Sequence, residues 1–96
     1  MKMHVKTAAQ GCHVKVSITK EGQTLLDLVD DDEGEVNLPG GATYRFEWFV
    51  ITSQEAHASI EAIAIPPDNA FRPLNIQKDY PAGVKDGNVF LFTLNN

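Results

Sequence analysis

The sequence predicts an all-β fold, an antiparallel two-sheet β-sandwich, and three observations predict it. Apolar and polar residues alternate with a period of two through several separate runs, the signature of half-buried strands. Turn-forming clusters, among them Lys20-Glu21-Gly22 and Pro39-Gly40-Gly41, punctuate those runs at short intervals. No long amphipathic helices separate the runs, as a parallel α/β sheet would need. The count implied is about seven or eight strands in one domain spanning residues 1–96.

The stretch Gly41 to Ile51 is expected to be the central strand. Tyr44, Phe46, Trp48 and Val50 fall on one side, Thr43, Arg45 and Glu47 on the other, and Tyr44, Phe46, Trp48 and Phe49 are four of the eight aromatic residues. Each large ring buries on the order of 150 to 250 Å², so this strand is expected at the centre of the core. Before it, Met3, Val5 and Thr7 alternate with His4, Lys6 and Ala8 in a first strand ended by Gln10-Gly11. Cys12, Val14, Val16 and Ile18 then form a second, rich in β-branched residues. Lys20-Glu21-Gly22 predicts a hairpin turn into Gln23 to Val29. Asp30 to Gly34 reads as a solvated turn and Glu35 to Leu38 as a short strand.

After the central strand, Thr52 to Ile65 fits two periods. As a strand, Ala56, Ala58, Ile60 and Ala62 share a face, with a phase slip to Ile63 and Ile65 of the kind a bulge causes. As a helix over 53–64, Thr52 and Glu55 would form a capping box, which makes a barrel or an α+β fold the alternative. Pro67 to Gly87 is irregular, with Leu74 and Ile76 as a short strand and Phe71 and Tyr80 as anchors. Asp86-Gly87-Asn88 turns into Val89 to Leu94, an apolar run suited to a strand buried on both faces beside the Tyr44 strand. No internal repeat is evident.

The segment Gly34-Glu35-Val36-Asn37-Leu38-Pro39-Gly40, with Tyr44 following, is similar to the strand, Pro-Gly turn and aromatic strand of prealbumin-like and immunoglobulin-like sandwiches. An immunoglobulin-like topology is the arrangement this resemblance and the strand count imply. No functional residue is carried over from it.

Hydrophobic residues make up 43% and charged residues 22% of the 96 positions, ordinary usage for a folding domain. The net charge of −5 disfavours nucleic acid and anionic membrane as partners. The charge is unevenly placed: residues 1–20 carry Lys2, Lys6, Lys15 and Lys20 without an acid, and residues 21–35 carry seven acids without a base. That contrast favours the two segments as neighbouring strands. One cysteine excludes an internal disulfide. No apolar run approaches the roughly 18 residues of a membrane span, and residues 1–10 lack the apolar core of a signal peptide. The expected compartment is cytoplasmic, or secreted if the chain is a processed or excised domain.

Motifs for chemistry are missing. Ser17, Ser53 and Ser59 sit in no nucleophile elbow, and Glu47 and Glu61 occupy polar strand positions. The acidic run from Asp30 to Glu35 lacks EF-hand spacing, because the bidentate acid due six residues after Gly34 is Gly40. Cys12 and His13 point to opposite faces of a strand, and local spacing joins His4, His13 and His57 into no zinc site. No catalytic residue, metal or cofactor is therefore expected. Phe49 and Ile51 place apolar surface opposite the core face, and with Phe71 and Tyr80 they make the candidate interaction surface. The expected function is a non-enzymatic protein-protein interaction or structural domain that binds a protein partner or itself through a sheet face or edge. The alternative is a ligand-binding accessory module, for example for carbohydrate, built from Phe71, Tyr80 and polar side chains of the 67–87 loop.

Overall fold

The computed structural model describes residues 1–95, and all of its regular structure is strand. Six strands run in order: β1 Lys2–Lys20, β2 Gln23–Val29, β3 Asp32–Asn37, β4 Ala42–Ile65, β5 Leu74–Tyr80 and β6 Lys85–Leu94. Every pairing is antiparallel, and all six belong to one connected sheet. The all-β antiparallel expectation therefore stands. The finer picture of seven or eight strands in two separate sheets does not describe this topology, because two pairs of expected strands are continuous. Residues 2–20 are one strand through Gln10-Gly11, and residues 42–65 are one strand through the segment that also fitted a helix. The strand period wins over 56–62 because β1 and β5 pair with β4 on its two sides there.

β1 and β4 pair along most of their length and then bend together. At ~3.3 Å per residue, 24 residues of straight strand would span about 80 Å. The longest dimension of the molecule is 45 Å. The bend lies where the register breaks: Gln10 pairs with His57, and two residues later Cys12 pairs with Thr52, so Gly11 faces the extra residues Ser53 to Ala56. Gly11 has φ +78°, and a Cβ there would sit 3.0 Å from the Glu55 carbonyl oxygen, so the bend favours glycine. The bulge expected near Ile63 is thus located earlier. Beyond it the phase holds, with Ala62 and Ala64 inward and Ile63 and Ile65 exposed.

The bend divides each long strand into halves with different partners. β3 pairs with residues 2–7 and β2 with residues 15–20 of β1, while β6 pairs with residues 42–51 and β5 with residues 56–62 of β4. Residues 2–37 and 42–94 therefore repeat one unit, a long strand followed by two short strands that pair back along it from its C-terminal to its N-terminal half. The two units meet antiparallel at β1 and β4. Thr7 and Thr52, the two buried polar residues among those described, occupy matching places. Thr7 Oγ1 donates to the Asp30 carbonyl at 2.5 Å in the β2–β3 turn, and Thr52 Oγ1 donates to the Pro81 carbonyl at 2.7 Å in the β5–β6 turn. The repeat escapes sequence inspection because a strand constrains the polarity of alternate positions and leaves residue identity free.

The inward positions form one core. Met3, Val5, Val14, Val16 and Ile18 of β1 meet Tyr44, Phe46, Trp48, Val50, Ala58 and Ile60 of β4. The connection after β4 folds back over this face: the Phe71 ring lies 5.6 Å from Phe46, 6.0 Å from Phe90 and 5.1 Å, edge-on, from Phe92. The Glu21-Gly22 turn has φ of 50° and 79°, the two positive values of a type I′ hairpin. The basic and acidic segments do lie side by side: β1 pairs with β2 and β3, with Lys2 Nζ 3.0 Å from Glu35 and Lys15 Nζ 3.9 Å from Asp27.

Candidate interaction surface

The acidic run is more ordered than a solvated turn. Where β1 leaves β3 and has not yet met β2, its edge amides lack a ladder partner. Asp31 Oδ1 accepts the Ala9 amide at 2.9 Å and Asp30 Oδ1 accepts the Val14 amide at 3.0 Å, so two carboxylates stand in for strand carbonyls across the bend. Asp30 adopts φ +59° to do this. Asp32 to Glu35 belong to β3 and charge its free edge.

The three imidazoles are apart, each against its own carboxylate. His4 lies between Glu33 at 2.7 Å and Glu35 at 3.1 Å, His13 contacts Asp30 at 3.3 Å, and His57 contacts Asp79 at 2.7 Å. Hydrogen bonds from Lys2 and then His4 hold the Glu35 carboxyl below its ordinary value. Among the described residues no group of three or more His, Cys, Asp or Glu is gathered as a metal would require. A shallow cleft at the bend is lined by Gln10, Gly11, Gln54, Glu55, His57 and Asp79. Asp79 is 92% exposed there, so its pair with His57 is solvated and weak. The nearby Cys12 thiol is half-buried and contacts the His57 carbonyl at 3.7 Å. Burial pushes its pKa up, which lowers the thiolate fraction that nucleophilic chemistry needs.

Of the four residues expected at an interaction surface, the structure divides two from two. Phe71 and Tyr80 are 2% and 4% exposed and belong to the core. Tyr80 donates its hydroxyl to Asp86 Oδ2 at 2.8 Å, and burial, reinforced by that bond and by the Asp86 charge, pushes its pKa up to about 12. Neither ring offers a face to a sugar. Phe49 and Ile51 do lie on the outer face, half-buried and exposed respectively. Phe49 pairs with Gly87 of β6, and a Cβ on Gly87 would come 2.5 Å from the Trp48 carbonyl oxygen and 3.0 Å from the Phe49 Cβ. The position admits glycine alone without a backbone shift.

The structure adds two residues to this face. Val89 and Leu91 of β6 pair with Glu47 and Arg45 and are 43% and 67% exposed, so β6 is buried on one face instead of the expected two. With Phe49 and Ile51 they extend the apolar outer surface to the edge of the sheet. The signal in the sequence is the alternation of Val89 and Leu91 with Phe90 and Phe92, which looks two-sided only if β6 is central. It is instead an edge strand. β4 is its one ladder partner among the described residues.

Edge chemistry separates the C-terminal part of β6 from the other outer strands. β3 carries Asp32, Glu33 and Glu35, β2 carries Asp27, β5 carries Lys78 and Asp79, and β6 has its own charges, Lys85 and Asp86, at its start. From Gly87 to Asn95 there is neither a charge nor a proline. Charges and prolines are the usual guards against strand addition. The amides of Gly87 and Val89 are closed by the preceding side chains, Asp86 Oδ1 and Asn88 Oδ1, each at 2.9 Å. Alternate amides of an antiparallel strand face one way, so those of Leu91 and Thr93 share this outward set. Among the described residues no side chain closes them. Beside the same edge a mainly apolar cleft of about 310 Å³ is lined by Phe71, Arg72, Leu74, Phe90, Leu91 and Phe92, with Arg72 its one charged residue.

No family model, curated protein or solved structure matches the chain. No helix of the described residues is long and apolar enough to cross a membrane.

Proposed function

We propose that the chain is a non-enzymatic protein-interaction module that accepts an extended strand along the free edge of β6. The observation that supports this most is the stretch Leu91–Asn95, which carries neither charge nor proline at the end of a strand whose one ladder partner among the described residues is β4. Strand addition takes its affinity from main-chain hydrogen bonds and its selectivity from pockets for alternate side chains. Here the Leu91 and Thr93 amides supply the first, and the cleft under Phe90 and Phe92 with the outer band of Val89 and Leu91 supplies the second. In this reading the two halves of the bent sheet act as the layers of a sandwich-like body that holds the edge rigid.

A capped peptide of alternating valine and threonine tests the reading, with backbone amide resonances as the readout. Shifts concentrated at Leu91–Asn95, and lost in Thr93→Pro, are expected. A peptide that perturbs β3 or β2 as much as β6, or no residue at all, would overturn it.

A further inference from the structure

Resting on that reading, we infer that the strand fitting the β6 edge is β6 of a second copy, so that the chain pairs with itself across a two-fold axis. The occupant must match an edge that is uncharged over nine residues, Gly87 to Asn95. The acidic body of the molecule, with net charge −5, sets a further condition. A basic partner is drawn to β3 and the acidic turn before it, whereas two β6 edges bring no like charges together along Gly87–Asn95. The same operation at the β3 and β2 edges sets acid near acid: Asp32, Glu33 and Glu35 in β3, and Asp27 in β2. Like charges opposed across strands are destabilising.

The open amides select a register. Two antiparallel copies of β6 that use only Leu91 and Thr93 place Leu91 opposite Thr93 of the second copy, with the axis passing between the two Phe92 residues. Each Leu91 amide then donates to a Thr93 carbonyl across the axis, and each Thr93 amide to a Leu91 carbonyl. Gly87 and Val89 keep their side-chain closures. On the outer face Leu91, the most exposed large hydrophobic residue at 67%, comes beside its own copy on the diagonal. An isologous pair of this kind uses up both edges and closes at two.

Sedimentation velocity of the full chain over a broad concentration series tests the pairing, with two variants alongside. Leu91→Lys puts two cations beside the axis, and its exposed side chain keeps the substitution out of the core. Like-charge juxtaposition of this kind should raise the dissociation constant about 100-fold. Val29→Lys changes another exposed apolar residue, on β2, and should leave the constant within about twofold. A dimer that meets both expectations, with Leu91 and Thr93 amide exchange slowed as concentration rises, supports the inference. A dimer that ignores Leu91→Lys, or a series that passes two into larger species, overturns it. A strict monomer also overturns self-pairing: if its Leu91–Asn95 resonances still respond to the valine-threonine peptide, strand addition survives with a foreign occupant, and if they do not, both fail.

Discussion

Replacing Asp30 probes how the bend in β1 is held. Its side chain accepts the Val14 amide at 3.0 Å, approaches His13 at 3.3 Å, and its backbone occupies φ +59°. A hydrogen bond to a charged acceptor contributes roughly 1.5 to 3 kcal/mol when buried. The Asp30 side chain is 38% exposed, so solvent screening brings its share down to about 1 kcal/mol. The left-handed backbone adds about 1 kcal/mol for alanine, which lacks the short polar side chain that tolerates it. Asp30→Ala should therefore cost about 2 kcal/mol of a total near 5 to 14. Asp30→Asn keeps an acceptor oxygen and the tolerance of positive φ, and should cost about 0.5 kcal/mol. Asp30→Gly relieves φ but loses the acceptor and should fall between them, near 1 kcal/mol. Urea midpoints at constant slope measure all three, and the Val14 amide should exchange faster in the alanine and glycine variants than in the asparagine variant. Equal costs for asparagine and alanine, or an unchanged Val14 exchange rate in Asp30→Ala, would refute the carboxylate's role as a ladder substitute.

Other perturbations test the rest of the structure. Trp48→Ala opens a cavity under the sheet and should cost about 3 to 5 kcal/mol, while Phe49→Ala, half-buried on the outer face, should cost about 1 to 2; denaturant melts that reverse this order would invert the assignment of faces. The Tyr80 phenol should ionise near pH 12, so the stability it contributes is present below pH 10 and lost as pH rises toward 12. Ultraviolet titration checks this, and Asp86→Asn should move the midpoint down without reaching 10, because burial, the larger cause, persists. Glu35 is lowered in the folded state, so its contribution is present above its ordinary 4.5 and lost as pH falls through the lowered value. Thermal melts of Glu35→Gln should show a flatter loss of stability in acid than the native chain, and an identical slope would remove Lys2 and His4 as its anchors.

Local alternation was enough to assign faces where polar residues mark the wet side of a strand. Tyr44, Phe46, Trp48 and Val50 point inward and Phe49 and Ile51 outward as their parity requires, because successive side chains on a strand cannot share a face. The Glu21-Gly22 hairpin was legible from its glycine, which takes the second of the two positive φ values of the turn. What lies between the runs depended on distant partners. Gln10-Gly11 and Asp86-Gly87-Asn88 look like turns in isolation, yet both continue as strand because β4 pairs on past each of them. Asp30 and Asp31 found their role only through amides 16 and 22 residues away, where β1 bends out of reach of its short neighbours. Phe71 and Tyr80 left the candidate surface when the segments after β4 folded over Phe46 and the β5–β6 turn. Whether β6 is central or at an edge decides if Val89 and Leu91 are core or surface, and no short-range pattern encodes that choice. Edge position is set by how many strands the whole chain supplies to one side of β4, a property of the tertiary pairing alone.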